Sequence, residues 1–185
     1  MDDAILLLRL LLGVLMAGHA LQKLLGWFGG FGIDATARLF ESWGLRPSRL
    51  MVGVAGTAEL LGAVLIATGT LTALGVAAVV GTMLVAASVS FPHGFWASKG
   101  GYELAAVYGL LGLGIGLAGP GRYSVDAQAG LLPYDSSALV LLAAAAGVVG
   151  AAPLVVRVVR TEARKRSADA QTGTEQRATV TEPTA

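Results

Sequence analysis

Three basic side chains, Arg9, His19 and Lys23, lie in or beside an apolar run that otherwise suits lipid, and a later apolar run carries a single carboxylate, Glu59, near its middle. An ionised carboxylate that faces lipid at that depth costs roughly 3 kcal/mol or more on insertion scales. Glu59 should therefore face the interior of a helical bundle, where it is either paired or protonated. Carboxylates and histidines are the usual proton carriers in such surroundings. The pattern predicts proton handling inside a membrane domain.

A second polar group lies in the segment FPHGFWASKGGYE, which follows a predicted span. Its proline and glycines interrupt the helical pattern and bring His93, Lys99 and Glu103 to one membrane boundary. Trp96 and Tyr102 stand beside them, as aromatic residues do at the interface between lipid and water. This segment is therefore a second candidate for chemistry at the membrane surface.

Two contacts between these groups follow from their expected depths. Arg9 is long enough to reach Glu59 as a charge-assisted pair, and His19 is expected to share a hydrogen bond or a proton with Glu103. We therefore predict a site in which His19, Glu59 and Glu103 handle protons. Arg9 is the predicted charge partner. The candidates for binding a cofactor are Lys23, His93 and Arg122.

Each of these residues also has a purely structural interpretation. Arg9 can extend its side chain to the outer interface. Glu59 can be a protonated carboxyl that hydrogen-bonds a neighbouring helix. His19 can be a neutral packing histidine, and His93 and Lys99 can belong to a solvated loop. The sequence leaves these alternatives open.

Several chemistries are excluded or unsupported by composition. The chain has no cysteine, which excludes thiolate nucleophiles, disulfides and cysteine-bound clusters. Its two histidines and spaced carboxylates match no metal-ligand motif such as HExxH, so no metal site is predicted. There is no motif for haem, flavin or an iron–sulfur centre, so electrons would have to come from a partner protein.

The elements that position these residues are predicted to be membrane helices. The chain has 185 residues, of which 55% are hydrophobic and only 14% charged, as in packed membrane bundles. Apolar runs of sufficient length predict an all-α, polytopic membrane helical bundle with a four-helix core and a fifth transmembrane helix. The membrane domain covers residues 1–160, with spans at about residues 4–22, 51–68, 71–90, 102–118 and 137–159.

Two helical faces can be assigned from spacing. In the first span Arg9, Gly13, Met16, Ala20 and Lys23 form one narrow stripe, which should face protein. Between the first two spans, a short amphipathic helix is expected from Asp34 to Trp43. It would use Asp34 as its N-cap and would turn its apolar side towards lipid, namely Ala37, Phe40 and Trp43.

Positive charges predict how the chain is oriented. With five spans, Lys23, Lys99 and the basic run near the C-terminus share one side, which predicts an outer N-terminus and a cytoplasmic C-terminus. The basic run follows an apolar span directly, so anionic lipid explains it and nucleic acid does not. Residues 161–185 are therefore expected to form a basic juxtamembrane segment and a disordered cytoplasmic tail.

Four motifs in order resemble the DoxX family of small integral membrane proteins. They are R-x9-H-x2-QK-L-x-G-x2-GG-x-G in the first span, AELLG at Ala58 to Gly62, GGYE at Gly100 to Glu103, and GPGRYSVD at Gly119 to Asp126. The resemblance covers about Ile5 to Asp126. The fifth span and the tail depart from the family's usual four helices.

The resemblance implies a redox-linked protein of the bacterial cytoplasmic membrane, because the family is named for a subunit associated with terminal quinol oxidase and thiosulfate:quinone oxidoreductase. The expected function is a component of a quinone-linked membrane oxidoreductase system, with quinone as the expected ligand. The alternative is a non-enzymatic scaffold subunit or a pathway for small solutes or protons. Expected partners are the lipid bilayer, a soluble or membrane-bound redox protein and further copies of the chain.

Overall fold

The computed structural model describes residues 1–130 and 136–180, with side chains described as far as residue 172. In those ranges the chain is helical and contains no strand, which confirms the predicted all-α class. Short 3-10 turns lie in the loops after the first and fourth helices. The α-helices are α1 (Asp2–Leu25), α2 (Gly32–Ser42), α3 (Ser48–Thr68), α4 (Thr72–Ser90), α5 (Glu103–Ala118), α6 (Val125–Ala129) and α7 (Ser137–Val180).

Five of these helices run between two ends of the bundle, with α1, α4 and α7 in one direction and α3 and α5 in the other. The Asp126 end contains the start of α1, the α3–α4 turn and α6. The basic end contains the α1–α2 and α4–α5 loops and the part of α7 that carries Arg157. Four of the five are long and apolar enough to cross a membrane, and α5 is shorter at 16 residues. The predicted helical membrane bundle is confirmed.

Small residues set the distance between α1 and α3. The predicted stripe on α1 does face protein, since Arg9, Gly13, Met16 and Ala20 are all buried. A Cβ added to Gly13 would lie 2.7 Å from the Ala67 Cβ, so the two backbones approach as closely as they do only because this position is glycine.

Glycines also allow α5 and α7 to pack closely against α4 and against each other. Added Cβ atoms would meet Val79 at Gly112 and Val76 at Gly116, and one at Gly147 of α7 would collide with the Ala77 carbonyl. Helices α1, α3, α4 and α5 thus surround the core, and α7, which packs mainly against α4, adds Val140 and Ala144 to it. The centre of this core is Leu12, Met16, Ala63, Ile66, Val76, Val79 and Ile115.

Helix α2 corrects the prediction for the first connecting segment. It begins at Gly32 and has no side-chain cap, and Asp34 instead forms an exposed ion pair with Arg49, at 3.1 Å. Ala37 and Phe40 do not face lipid. They are buried with Leu45, Val52 and Val158, because α2 folds back across the basic end and covers the start of α3 and the part of α7 around Val158.

The C-terminal segment also differs from its expected form. Disorder was expected within residues 161–185, whereas α7 continues without a break to Val180. Alanine, arginine, glutamate and glutamine are good helix formers and can extend an existing helix without a packing partner. Residues 163–172 are exposed, which fits a helix that projects from the bundle. Residues 181–185 lie outside the described part of the chain.

We predict that deleting Ser167 to Ala185 leaves membrane insertion unchanged and shifts Tm by less than about 2 °C, because the side chains of residues 167–172 are exposed and bury little apolar surface. Thermal unfolding in detergent, followed by size-exclusion chromatography of the folded fraction, checks this. A large loss of folded protein would show that the segment docks on the bundle.

We also predict that the basic end is cytoplasmic. Because the chain has no cysteine, single cysteines can report sidedness without background labelling. A membrane-impermeant maleimide should label Gln128→Cys in intact cells and should label Ser98→Cys only in inside-out vesicles, since both positions are exposed at opposite ends. The reverse labelling pattern would contradict the orientation.

Candidate functional site

A cavity of about 570 Å³ occupies the basic half of the molecule. Its volume lies within the range of small-molecule binding sites. The walls come from α1, α2, α3, α4 and α7, and most of their surface is apolar. The large apolar residues among them are Leu39, Phe40, Trp43, Met51, Val85 and Leu154.

An ion pair lies in the wall of this cavity. Lys23, in the last turn of α1, donates a hydrogen bond to Oε1 of Glu59 in the middle of α3. The Glu59 side chain is 2% exposed and that of Lys23 is 27% exposed, so the lysine lies on the more open side. The pair balances a carboxylate that would otherwise be isolated in an apolar bundle. The ionised glutamate therefore depends on α1 being packed against α3.

The second carboxylate oxygen of Glu59 is left free. Within the described ranges, Oε2 of Glu59 is the one buried side-chain polar atom that has no hydrogen-bond partner. An unpaired buried acceptor costs about 1–3 kcal/mol, and more when the group is charged. Because Glu59 is one of the residues that line the cavity, a rotation of its side chain would present this oxygen to a hydrogen-bond donor on a ligand.

Other polar side chains share the cavity, among them His19, Gln22, Thr36 and Thr82. His19 lies with its ring centroid 5.7 Å from that of Tyr108, and Gln22 donates to the Phe28 carbonyl at 3.3 Å. Thr82 donates to the Ala78 carbonyl of its own helix at 2.7 Å, and Thr36 is a buried hydroxyl on α2. The structure thus brings together three of the predicted residues, His19, Lys23 and Glu59.

The predicted pair of Arg9 with Glu59 is wrong. Arg9 is 1% exposed and donates from Nε to Ile66 O at 2.9 Å, from Nη2 to Ala67 O at 2.8 Å and from Nη1 to Pro120 O at 2.6 Å. Burial also rules out extension of the side chain to the interface. Carbonyls in the last turn of a helix have no partner within the helix, so the end of α3 provides the acceptors that the guanidinium needs.

Asp126 is a buried charge whose role the sequence did not reveal. It accepts hydrogen bonds from Leu71 N at 2.7 Å, Thr72 N at 2.9 Å and Thr72 Oγ1 at 2.8 Å, and so caps the start of α4. Its own N–H donates to Gly69 O at 2.9 Å. The GPGRYSVD motif marked Asp126 as a candidate, but the sequence did not show that its partner is the α3–α4 turn, more than fifty residues earlier.

Glu103 also has a different role from the one predicted. Its Oε2 accepts a hydrogen bond from Ala97 N at 2.9 Å, and its N–H donates to Phe95 O at 2.9 Å, so it closes the α4–α5 loop. No bond to His19 forms, because this carboxylate is used within its own loop. Lys99 is an exposed residue of that loop.

The remaining cofactor candidates lie apart from the cavity. His93 is exposed in the α4–α5 loop, and Arg122 is exposed at the Asp126 end. The Arg122 N–H donates to Asp2 Oδ1 at 3.0 Å, and its guanidinium donates to the Tyr123 hydroxyl, which raises the pKa of Arg122. Of the three candidates, only Lys23 reaches the cavity.

The DoxX family model matches residues 4–94. This range contains α1 to α4 and therefore both members of the Lys23–Glu59 pair, whereas α5, Asp126 and α7 lie beyond it. No curated protein and no solved structure matches the chain.

We predict energetic coupling between Lys23 and Glu59 and none between Arg9 and Glu59. In a double-mutant cycle, Lys23→Met and Glu59→Gln should show a coupling of about 0.6 kcal/mol, rising to about 1.7 at most. Arg9→Gln and Glu59→Gln should be additive within about 0.5 kcal/mol, since they share no partner. Reversible unfolding in mixed micelles measures both cycles. A coupled Arg9–Glu59 cycle would contradict the hydrogen bonds described above.

Proposed function

The chain belongs to the DoxX family of integral membrane proteins, and on that premise we propose that it is a membrane component of a quinone-linked oxidoreductase system. The observation that carries the proposal is the free Oε2 of Glu59 in the wall of a largely apolar cavity. A quinone has an apolar ring with polar oxygens at opposite edges. Such a ligand fits a site that has apolar walls and a few polar groups to orient it.

Glu59 would hold the exchangeable proton. Reduction of a quinone to a quinol consumes two electrons and two protons, and the electrons would come from the reduced cofactor of a partner protein. Oε2 of Glu59 can accept a hydrogen bond, and then the proton, from a quinol hydroxyl, or return a proton in the opposite direction. A ligand would not have to displace an existing hydrogen bond, because Oε2 has no partner in the structure.

Lys23 and His19 would support this transfer. The ammonium of Lys23 holds Oε1 and so fixes which oxygen faces the ligand. It also keeps a positive charge beside the carboxylate when the proton leaves. His19, also in the wall, can pass a proton between Glu59 and water at the open side of the cavity.

The cellular setting follows from the same features. The apolar helices place the protein in a lipid bilayer, and we propose the bacterial cytoplasmic membrane with the basic end inside. The cavity lies in that half, so a redox partner would dock from the cytoplasm or within the membrane. The scaffold and solute-pathway alternatives require no quinone, which separates them from this proposal.

We predict that Glu59→Gln weakens binding of decylubiquinol about 10- to 100-fold, because a hydrogen bond to a charged group contributes about 1.5–3 kcal/mol. Isothermal titration calorimetry on the purified protein under anaerobic conditions measures the Kd.

The matched control is Glu41→Gln, which makes the same chemical change at an exposed carboxylate of α2 that pairs with Arg46. This variant should bind like the unsubstituted protein. An equal loss of quinol affinity in both variants would show that Glu59 does not bind the quinol. Failure of the unsubstituted protein to bind the quinol would favour the scaffold or solute-pathway alternative.

A further inference from the structure

The cavity is not confined to the four-helix core, because α7 supplies part of its wall. Gly147, Gly150 and Ala151 of α7 line it, opposite Val54 and Ala58 of α3. Of the helices in the cavity wall, α7 is the one that lies beyond the range matched by the family model. Packing against α4 explains how α7 supports the core, but it does not explain why α7 also lines the cavity.

Packed side chains and the α2–α3 loop fill the space between α3 and α7 at the basic end. At the basic end, Val52 and Val158 are buried in one cluster, and a Cβ on Gly44 would collide with Thr161. Farther along, Val54 and Gly150 both line the cavity and are both exposed. Side chains that face a cavity and the exterior at once mark an opening, which we call the α3–α7 opening.

This opening lies at the depth of the hydrocarbon. Gly150 precedes Arg157, the first charge of the basic run, by seven residues, or about 10 Å of helix. Val54 lies about 7.5 Å along α3 from Arg49, the nearest charge of that helix on the basic side. The opening therefore leads into lipid rather than into water.

The composition of the opening favours an apolar ligand along this route. Val54, Ala58, Gly150 and Ala151 line it, and the charged side chains of the cavity are those of Lys23 and Glu59. On its outer side, Val54 and Ala58 also border a groove that contains Arg49 and Thr57. An apolar chain could lie there without losing any hydrogen bond to water. A charged or hydroxylated solute would lose its hydration without replacement.

We propose that the α3–α7 opening admits a lipid-soluble ligand from the bilayer, with its polar ring at Glu59 and its hydrocarbon tail held between α3 and α7. The inference rests on the proposed function, and it adds that the tail is part of what the site recognises. The occupant is the tail of the quinone itself, because the opening is continuous with the cavity that contains the free Glu59 oxygen.

Gly150 provides a way to close the opening without disturbing the fold. A Cβ added there would meet nothing within 4 Å, in contrast to Gly147, where it would collide with the Ala77 carbonyl. Gly150→Phe should therefore fold normally and fill the opening. Val149→Phe is the matched control, since Val149 is 71% exposed and does not line the cavity.

Trp43 is a natural reporter, because it lines the cavity and quinones quench tryptophan fluorescence on contact. Trp27 and Trp96 are 54% and 59% exposed and can be replaced by phenylalanine, which leaves Trp43 as the sole tryptophan. In proteoliposomes of phosphatidylcholine, stopped-flow quenching gives the association rate of decylubiquinone and of the tail-free ring, 2,3-dimethoxy-5-methylbenzoquinone.

Gly150→Phe should slow association of decylubiquinone about tenfold and leave the tail-free ring unchanged, whereas Val149→Phe should change neither. Val54→Phe, from the opposite side of the opening, should act like Gly150→Phe. Equal rates in all variants would overturn the route while leaving quinone binding intact.

Absence of quenching by both quinones in the unsubstituted protein would instead overturn the proposed function. In that case vesicles of brominated phosphatidylcholine decide what fills the opening. Quenching of Trp43 that Gly150→Phe relieves would assign the opening to a lipid acyl chain and overturn the ligand route.

Discussion

The fold depends on the hydrogen bonds that allow one guanidinium group, that of Arg9, to be buried inside an apolar bundle. Arg9 needs several acceptors at once, and it finds them in the carbonyls at the end of α3 and in Pro120. These bonds tie α1 and the α5–α6 loop to one helix terminus. Gly69 is required at this point, because its φ is 63° and a Cβ would lie 2.8 Å from the guanidinium carbon.

The same site carries a balancing charge. Asp126 caps the start of α4 and attracts Arg9 electrostatically, so the α3–α4 turn is held from both sides. Leu71 adopts a positive φ of 45° there, a conformation that costs energy in a non-glycine residue and that the hydrogen bond to Asp126 stabilises. Most charges at the Asp126 end are thus used for architecture.

The basic half has the opposite character. The apolar core that includes Leu12, Met16 and Ile66 separates it from Arg9, so the Lys23–Glu59 pair cannot share the Arg9–Asp126 network. Here a carboxylate oxygen is left free beside a cavity instead of being satisfied. Helices α2 and α7 create that cavity, since they add walls outside the four-helix core.

The sequence by itself determined the membrane helices, the buried stripe on α1 and the need for Glu59 to face protein. These follow from hydropathy, from the helical period and from the energy of a charge in lipid, all of which are local properties. Only the tertiary structure decided the partners. Arg9 donates to backbone carbonyls, and Glu59 accepts from Lys23. Which partners lie within reach depends on how the helices are shifted along their axes and on where each helix ends. Asp126 caps α4, and α7 forms part of the cavity wall, through contacts with residues distant in sequence. The hydrophobic period of a single helix contains no information about such contacts.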